Sequence, residues 1–174
     1  MIKSVNGKKP KVAKSAWVSE AAYVVGNVEI GENSSVWPGA VIRGDFASVK
    51  MGNYVTVQDN CVIHSGSPFV PPGDAVIGDR VHIGHGAVVN CVKVGNNVLI
   101  GMNATILQEA EIGDFCIIAA GSVVSRGMII PDRSFVVGVP AEIKGESTPQ
   151  QLKWTQTGPK TYAALAKQYK SQGL

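Results

Sequence analysis

The chain has 174 residues, enough for one well-buried domain and too few for two comfortable ones. Sixteen Lys and Arg against thirteen Asp and Glu leave a formal charge of +3, and the basic residues are spread out apart from a lysine cluster near the N-terminus, so a nucleic-acid or membrane-surface role has little support. The three cysteines, Cys61, Cys91 and Cys116, are odd in number and lack CxxC spacing, which argues against a disulfide framework and a cysteine zinc site.

A reducing compartment fits that cysteine usage. The stretch Met1–Pro10 has no apolar core after its charges, and nowhere do about 18 consecutive apolar residues occur. The expected location is the cytoplasm, with no membrane partner.

From Val12 onward aliphatic residues recur in steps of six: Val18, Val24, Ile30, Val36 and Ile42. The register returns at Met51, Val57 and Ile63, again at Ile77, Ile83 and Val89, and then from Val94 through Ile100, Ile106, Ile112 and Ile118 to Val124. A period of six matches neither a helix nor a hairpin pattern and predicts an all-β solenoid, a parallel β-helix in which three hexads make one triangular coil. An evenly spaced β-sandwich fits less well, because its strands would alternate over longer runs. Coil starts at Val12, Ile30, Met51, Ile77, Val94 and Ile112 are separated by 18, 21, 26, 17 and 18 residues. The excesses predict a small insertion near residues 46–50 and a larger exposed loop at 65–74, rich in Ser, Gly and Pro. Gly31, Gly52, Gly78, Gly95 and Gly113 each follow the first aliphatic of a coil, where a tight corner tolerates no Cβ.

The solenoid is expected over residues 1–146, with 147–174 as a helix packed along it. Ser147 or Thr148 before Pro149 suits an N-cap with proline at the first helical position. Gly158-Pro159 is expected to kink or restart the helix.

All three histidines fall within 22 positions. The phasing stacks Arg43, His64 and Asn90 on one edge, each following the third aliphatic of its coil, and puts His85 on a different face. In a single prism His64 and His85 point apart, but prisms associated side by side as a trimer let His85 of one subunit meet His64 of its neighbour. His82 precedes Ile83 by one position and is expected near a corner, facing solvent. Cys91 reads as an inward-facing small hydrophobe.

Trp37-Pro38-Gly39-Ala40-Val41-Ile42-Arg43-Gly44-Asp45, Val57-Gln58-Asp59-Asn60 leading to Ile63-His64, Ile83-Gly84-His85-Gly86-Ala87, Gly138-Val139-Pro140-Ala141 and the helix with Trp154 and Tyr162 together resemble the γ-class carbonic anhydrases. The resemblance implies a left-handed β-helix, a homotrimer, and reversible hydration of carbon dioxide to bicarbonate at an intersubunit zinc, or a related iron or cobalt ion. His64 matches the first metal ligand and His85 the cross-subunit one. The third ligand position, five residues after His85, is Asn90 instead of histidine, and its neutral oxygen is a weaker donor. Gln58 resembles the residue that orients the reactive water, Tyr162 the helix tyrosine that reaches toward the pocket, and Arg43 and Asp45 the pair at the subunit interface, which also reads as a purely structural ion pair. Phe46 follows Asp45 and no glutamate occurs after His64 in the 65–74 loop, so the family's carboxylate proton shuttle is missing, leaving buffer or a histidine such as His82 to carry the proton. Two other readings stay open: a metal-poor scaffold in a larger assembly, and a hexapeptide acyltransferase with histidine as general base.

Overall fold

Two-residue strands separated by turns can bury an aliphatic side chain only by stacking on the next coil, and that requirement shapes the molecule. The computed structural model describes residues 1–66, 73–90 and 93–174. Its hexads wind into about seven coils of a left-handed parallel β-helix followed by one helix. Of the expected 65–74 loop, residues 67–72 lie outside the described residues, as does Cys91.

Strand pairing reproduces the six-residue register on all three faces. The first column runs Val12, Ile30, Met51, Ile77, Val94, Ile112. The second runs Val18, Val36, Val57, Ile83, Ile100, Ile118. The third runs Val24, Ile42, Ile63, Val89, Ile106, Val124. The first two columns continue one coil further, to Ile130 and Val136. Ile42, Ile63, Ile83, Ile100, Ile106 and Ile118 have no exposed surface, so the prism axis is a continuous aliphatic core. Cys61 and Cys116 are buried in it, and burial pushes both thiols up to about 11, which keeps them protonated and unreactive.

The corner glycines are required for a reason other than turn geometry. The left-handed residues lie two positions further on, at Asn33, Tyr54, Arg80, Asn97 and Phe115. What excludes a Cβ is the adjacent coil: on Gly52 it would stand 2.3 Å from Asp79 Oδ1, and on Gly95 2.4 Å from Asp114 Oδ1. Those oxygens accept backbone N–H bonds from Asn53 and Asn96 at 2.8 and 2.7 Å. Each glycine thus makes room for a polar ladder that ties coil to coil along one edge.

The insertion near 46–50 stays extended inside one long strand, Val41–Met51. Gly44 faces Gly26 and Val49 faces Val28, so residues 45–48 stand opposite the single residue Asn27. This bulge carries Asp45 off the prism edge. Beyond the hexads, Ser134–Gly138 and Ala141–Glu146 form an antiparallel hairpin that closes the lower end, with Val139-Pro140 in its turn.

The helix spans Pro149–Ser171 without interruption, although Gly158-Pro159 was the expected break. Pro159 is buried against the prism, and side-chain docking on the second face compensates for its missing N–H. Trp37 receives Tyr162 and Tyr169 edge-on and Trp17 receives Tyr169, with ring centroids 5.2–5.4 Å apart, and the two indoles meet at 4.9 Å. Thr148 and Gln151 form a reciprocal capping box. Thr148→Ala removes one side of it and is expected to cost about 1 kcal/mol of stability in urea unfolding.

Candidate functional site

Stacking positions the first half of the site. Arg43 and His64 are opposite one another on neighbouring strands of the third face, and Asn90 follows Val89, which pairs with Ile63. Asn90 therefore stands beside His64, half-buried, its backbone N–H bonded to Ile106 O at 2.9 Å. Asp45, on the bulge, turns back to this edge. Its Oδ2 accepts from the Arg43 guanidinium and its Oδ1 lies 2.8 Å from His64 Nε2. Desolvation raises the Asp45 carboxyl, but the His64 hydrogen bond and the charges of Arg43 and His64 outweigh it and hold the group below the usual range. Asp45 is thus an ionised acceptor, and His64 donates its Nε2–H to it.

The second half sits on the corner Gly84-His85-Gly86. Both flanking glycines are dictated by the coil that stacks there, since a Cβ on Gly86 would meet Asn103 Oδ1 at 2.2 Å and one on Gly84 would meet Met102 N at 2.8 Å. His85 Nδ1 lies 2.9 Å from Asp59 Oδ2, and its backbone N–H donates to Gln58 Oε1 at 3.1 Å. Gln58 is only 2% exposed. With its oxygen taken by His85, its amide nitrogen donates to the Tyr162 hydroxyl, which keeps its own proton to donate elsewhere.

His64 ends a strand of the third face, and His85 lies in the turn between the second and third faces. The two imidazoles therefore flank the third face at opposite edges, as the hexad phasing predicts. Among the described residues no three His, Cys, Asp or Glu side chains of one chain gather as a metal-binding group. Asp59 is a site residue that the histidine spacing does not mark but the hexad phasing does, since Gln58 and Gly84 hold equivalent positions and the residues after them stack: Gly86 N–H donates to Asp59 O at 2.9 Å.

His82 corrects the expectation of a solvated imidazole. It is 9% exposed, covered by Tyr162 at 5.1 Å between centroids and by Gly158, and its Nδ1 is buried without a partner. Burial, assisted by the neighbouring His85, pushes it down to about 4. It stays neutral at physiological pH, which makes it a poor proton carrier there.

The chain is 41% identical over 160 residues to a Methanocaldococcus jannaschii protein named "Probable carbonic anhydrase", spanning 92% of this chain and 98% of the relative. It is 32% identical over 171 residues to the mitochondrial gamma carbonic anhydrase 2 of Arabidopsis thaliana, covering 97% of this chain and 62% of the plant protein. The chain belongs to the γ-class carbonic anhydrase family. Within the wider hexapeptide-repeat group, a solved hexapeptide transferase family protein from Anaplasma phagocytophilum superposes with a TM-score of 0.90 at 32% identity, over 97% of this chain and 98% of that one. A family model described as dynactin subunit 5 also matches residues 5–162. The chain is thus similar both to proteins named as enzymes and to a family named for a dynactin subunit. Among the described residues no helix is long and apolar enough to cross a membrane.

Proposed function

We propose that this chain is a metal-dependent carbonic anhydrase of the γ type, working as a cytoplasmic homotrimer. His64 and Asn90 of one subunit and His85 of the next would hold a divalent ion, zinc or else iron or cobalt. The observation that carries the reading is the pair of aspartates. Asp45 and Asp59 each engage one ring nitrogen of a histidine, which is the outer-shell arrangement that fixes tautomer and orientation in metal-binding imidazoles. The opposite nitrogen of each ring is left as a lone pair for a metal. Two imidazoles and an amide oxygen suit a divalent ion, held more weakly than by three imidazoles.

The third face supports the trimer. Its outward side chains, Tyr23, Val41, Val62, Val88, Thr105 and Val123, carry no charge. The first face shows Lys11, Glu29, Lys50, Lys93 and Glu111 beside Val76 and Ile129. An uncharged face flanked by the two histidines is the surface that subunit packing would bury, and burying it would bring the histidines of neighbours together.

A bound divalent ion supplies a Lewis acid that makes water nucleophilic near neutral pH. Gln58 holds the His85 corner and fixes the Tyr162 hydroxyl, while Arg43 keeps Asp45 ionised so that His64 presents its lone pair. Phe46, 58% exposed, lies 5.6 Å from the His64 ring and offers no proton-accepting group there. With His82 held neutral by burial, the proton leaves to buffer. Hydration rates are therefore expected to rise and saturate with imidazole buffer concentration, as stopped-flow measurement at constant ionic strength would show.

Metal content per subunit of the untagged oligomer, by mass spectrometry, tests the assignment. About one ion per chain in the wild type is expected, with a loss of about tenfold or more in His85→Ala, while the metal-stripped wild type and variant melt at nearly the same temperature because His85 lies outside the stacked core. Negligible metal after incubation with zinc, iron and cobalt would overturn it in favour of the scaffold reading, which Asn90 favours.

A further inference from the structure

The C-terminal helix begins at Pro149, beside the lower end of the prism, but packs closely on the second face chiefly at Trp17–Val18, Ser35–Val36, Thr56–Val57 and His82–Ile83. The outward column of that face runs His82, Leu99, Ile117, Phe135. Below His82 this column floors a groove of about 470 Å³, with Trp154, 53% exposed, among its lining residues. None of the residues lining the groove carries a formal charge. The volume falls in the range of small-molecule pockets, which combine apolar walls with a few placed polar groups.

Three polar side chains line the groove: Gln151 at the helix start, whose Oε1 accepts from Thr148 N–H at 2.8 Å, Gln58, and His82, the buried one of the three whose ring nitrogens folding leaves unused. Gln58, which also lines the groove, has both ends of its amide engaged. The Nδ1 of His82 is sealed against Gly158 with no hydrogen-bond partner, so the little surface the ring keeps belongs to its other atoms. An orphaned lone pair is tolerated in protein interiors more readily than an orphaned N–H, which puts the proton on Nε2. The imidazole then brings a single neutral donor to the head of an apolar groove.

We propose that this groove binds a small uncharged molecule with an apolar body and a carbonyl-type oxygen that accepts from His82 Nε2–H. A charged ligand would lose its hydration without a counter-charge in the lining. A purely apolar one would leave the donor unanswered. The site shares Gln58 with the histidine corner but needs neither metal nor anhydrase activity.

The uncharged fluorophore N-phenyl-1-naphthylamine, titrated into the intact oligomer, tests this, with acetophenone and ethylbenzene as competitors of matched size. Saturable binding of one probe per chain is expected, with acetophenone displacing it at about fivefold or more lower concentration than ethylbenzene. His82→Phe should abolish that preference while probe binding persists. Ala119→Phe and, separately, Ala120→Trp should each weaken the probe about tenfold by filling the groove, with circular dichroism and melting confirming the fold. Unsaturable probe binding, binding indifferent to both filling variants, or equal competition by the two compounds in the wild type would overturn the proposal.

Discussion

Replacing Trp37 by alanine is expected to remove about 3–5 kcal/mol of stability and to release the C-terminal helix from the prism. Trp37 is 5% exposed and is the hub of the aromatic cluster, touching Trp17, Tyr162 and Tyr169, with its indole N–H bonded to Ser35 Oγ at 3.0 Å. The helix depends on that cluster. It contains Gly158 and Pro159 and has no acidic residue in its first turn, so its own propensity cannot hold 23 residues together in water. Undocking also withdraws Tyr162 from Gln58, the residue that braces the His85 corner. Urea unfolding followed by circular dichroism, with limited trypsin digestion at Lys153 and Lys160, checks both effects. Cleavage there should precede loss of β signal. A variant that loses under about 1 kcal/mol and resists trypsin would show that the helix is held by other contacts.

The core was legible because its period is the fold: a hexad places an aliphatic at Ile42, Ile63, Val89 and Ile106 whatever else the coil contains. Length bookkeeping also found the bulge, since three extra residues between Ile30 and Met51 had to go somewhere, but only the backbone shows that they stay extended and return Asp45 to His64. What periodicity cannot say is which outward face a later segment will cover. His82 and Val88 occupy equivalent outward positions in their hexads, yet the helix seals one and leaves the other exposed. The clue lay higher in the same column, where Trp17 stands above small Ser35 and Thr56, a composition suited to receiving a helix. Pro159 misled for a related reason. Its local penalty is real, but docking against the prism outweighs it.

Stability is expected to fall by about 2 kcal/mol between pH 7.5 and pH 5 because of His82, and His82→Phe should abolish that fall. The group's value is 6.5 when unperturbed and about 4 in the fold. Between those values the unfolded chain binds a proton that the folded chain refuses, so acidification favours unfolding. The contribution is complete above pH 6.5, and by pH 4 it has been lost to the extent of about 3 kcal/mol, at roughly 1.4 kcal/mol per unit of displacement. The cause is burial under Tyr162 and Gly158, with His85 adding a like charge when both are protonated. Asp45 and Asp74 are displaced the other way, below an ordinary value of 3.8. Their contribution is present above that value and fades only as pH falls through their folded values, below the His82 window. Urea midpoints at half-unit steps from pH 7.5 to 4.5 separate the two. A wild-type profile flat down to pH 4.5 would mean that the imidazole is hydrated and the helix seal open.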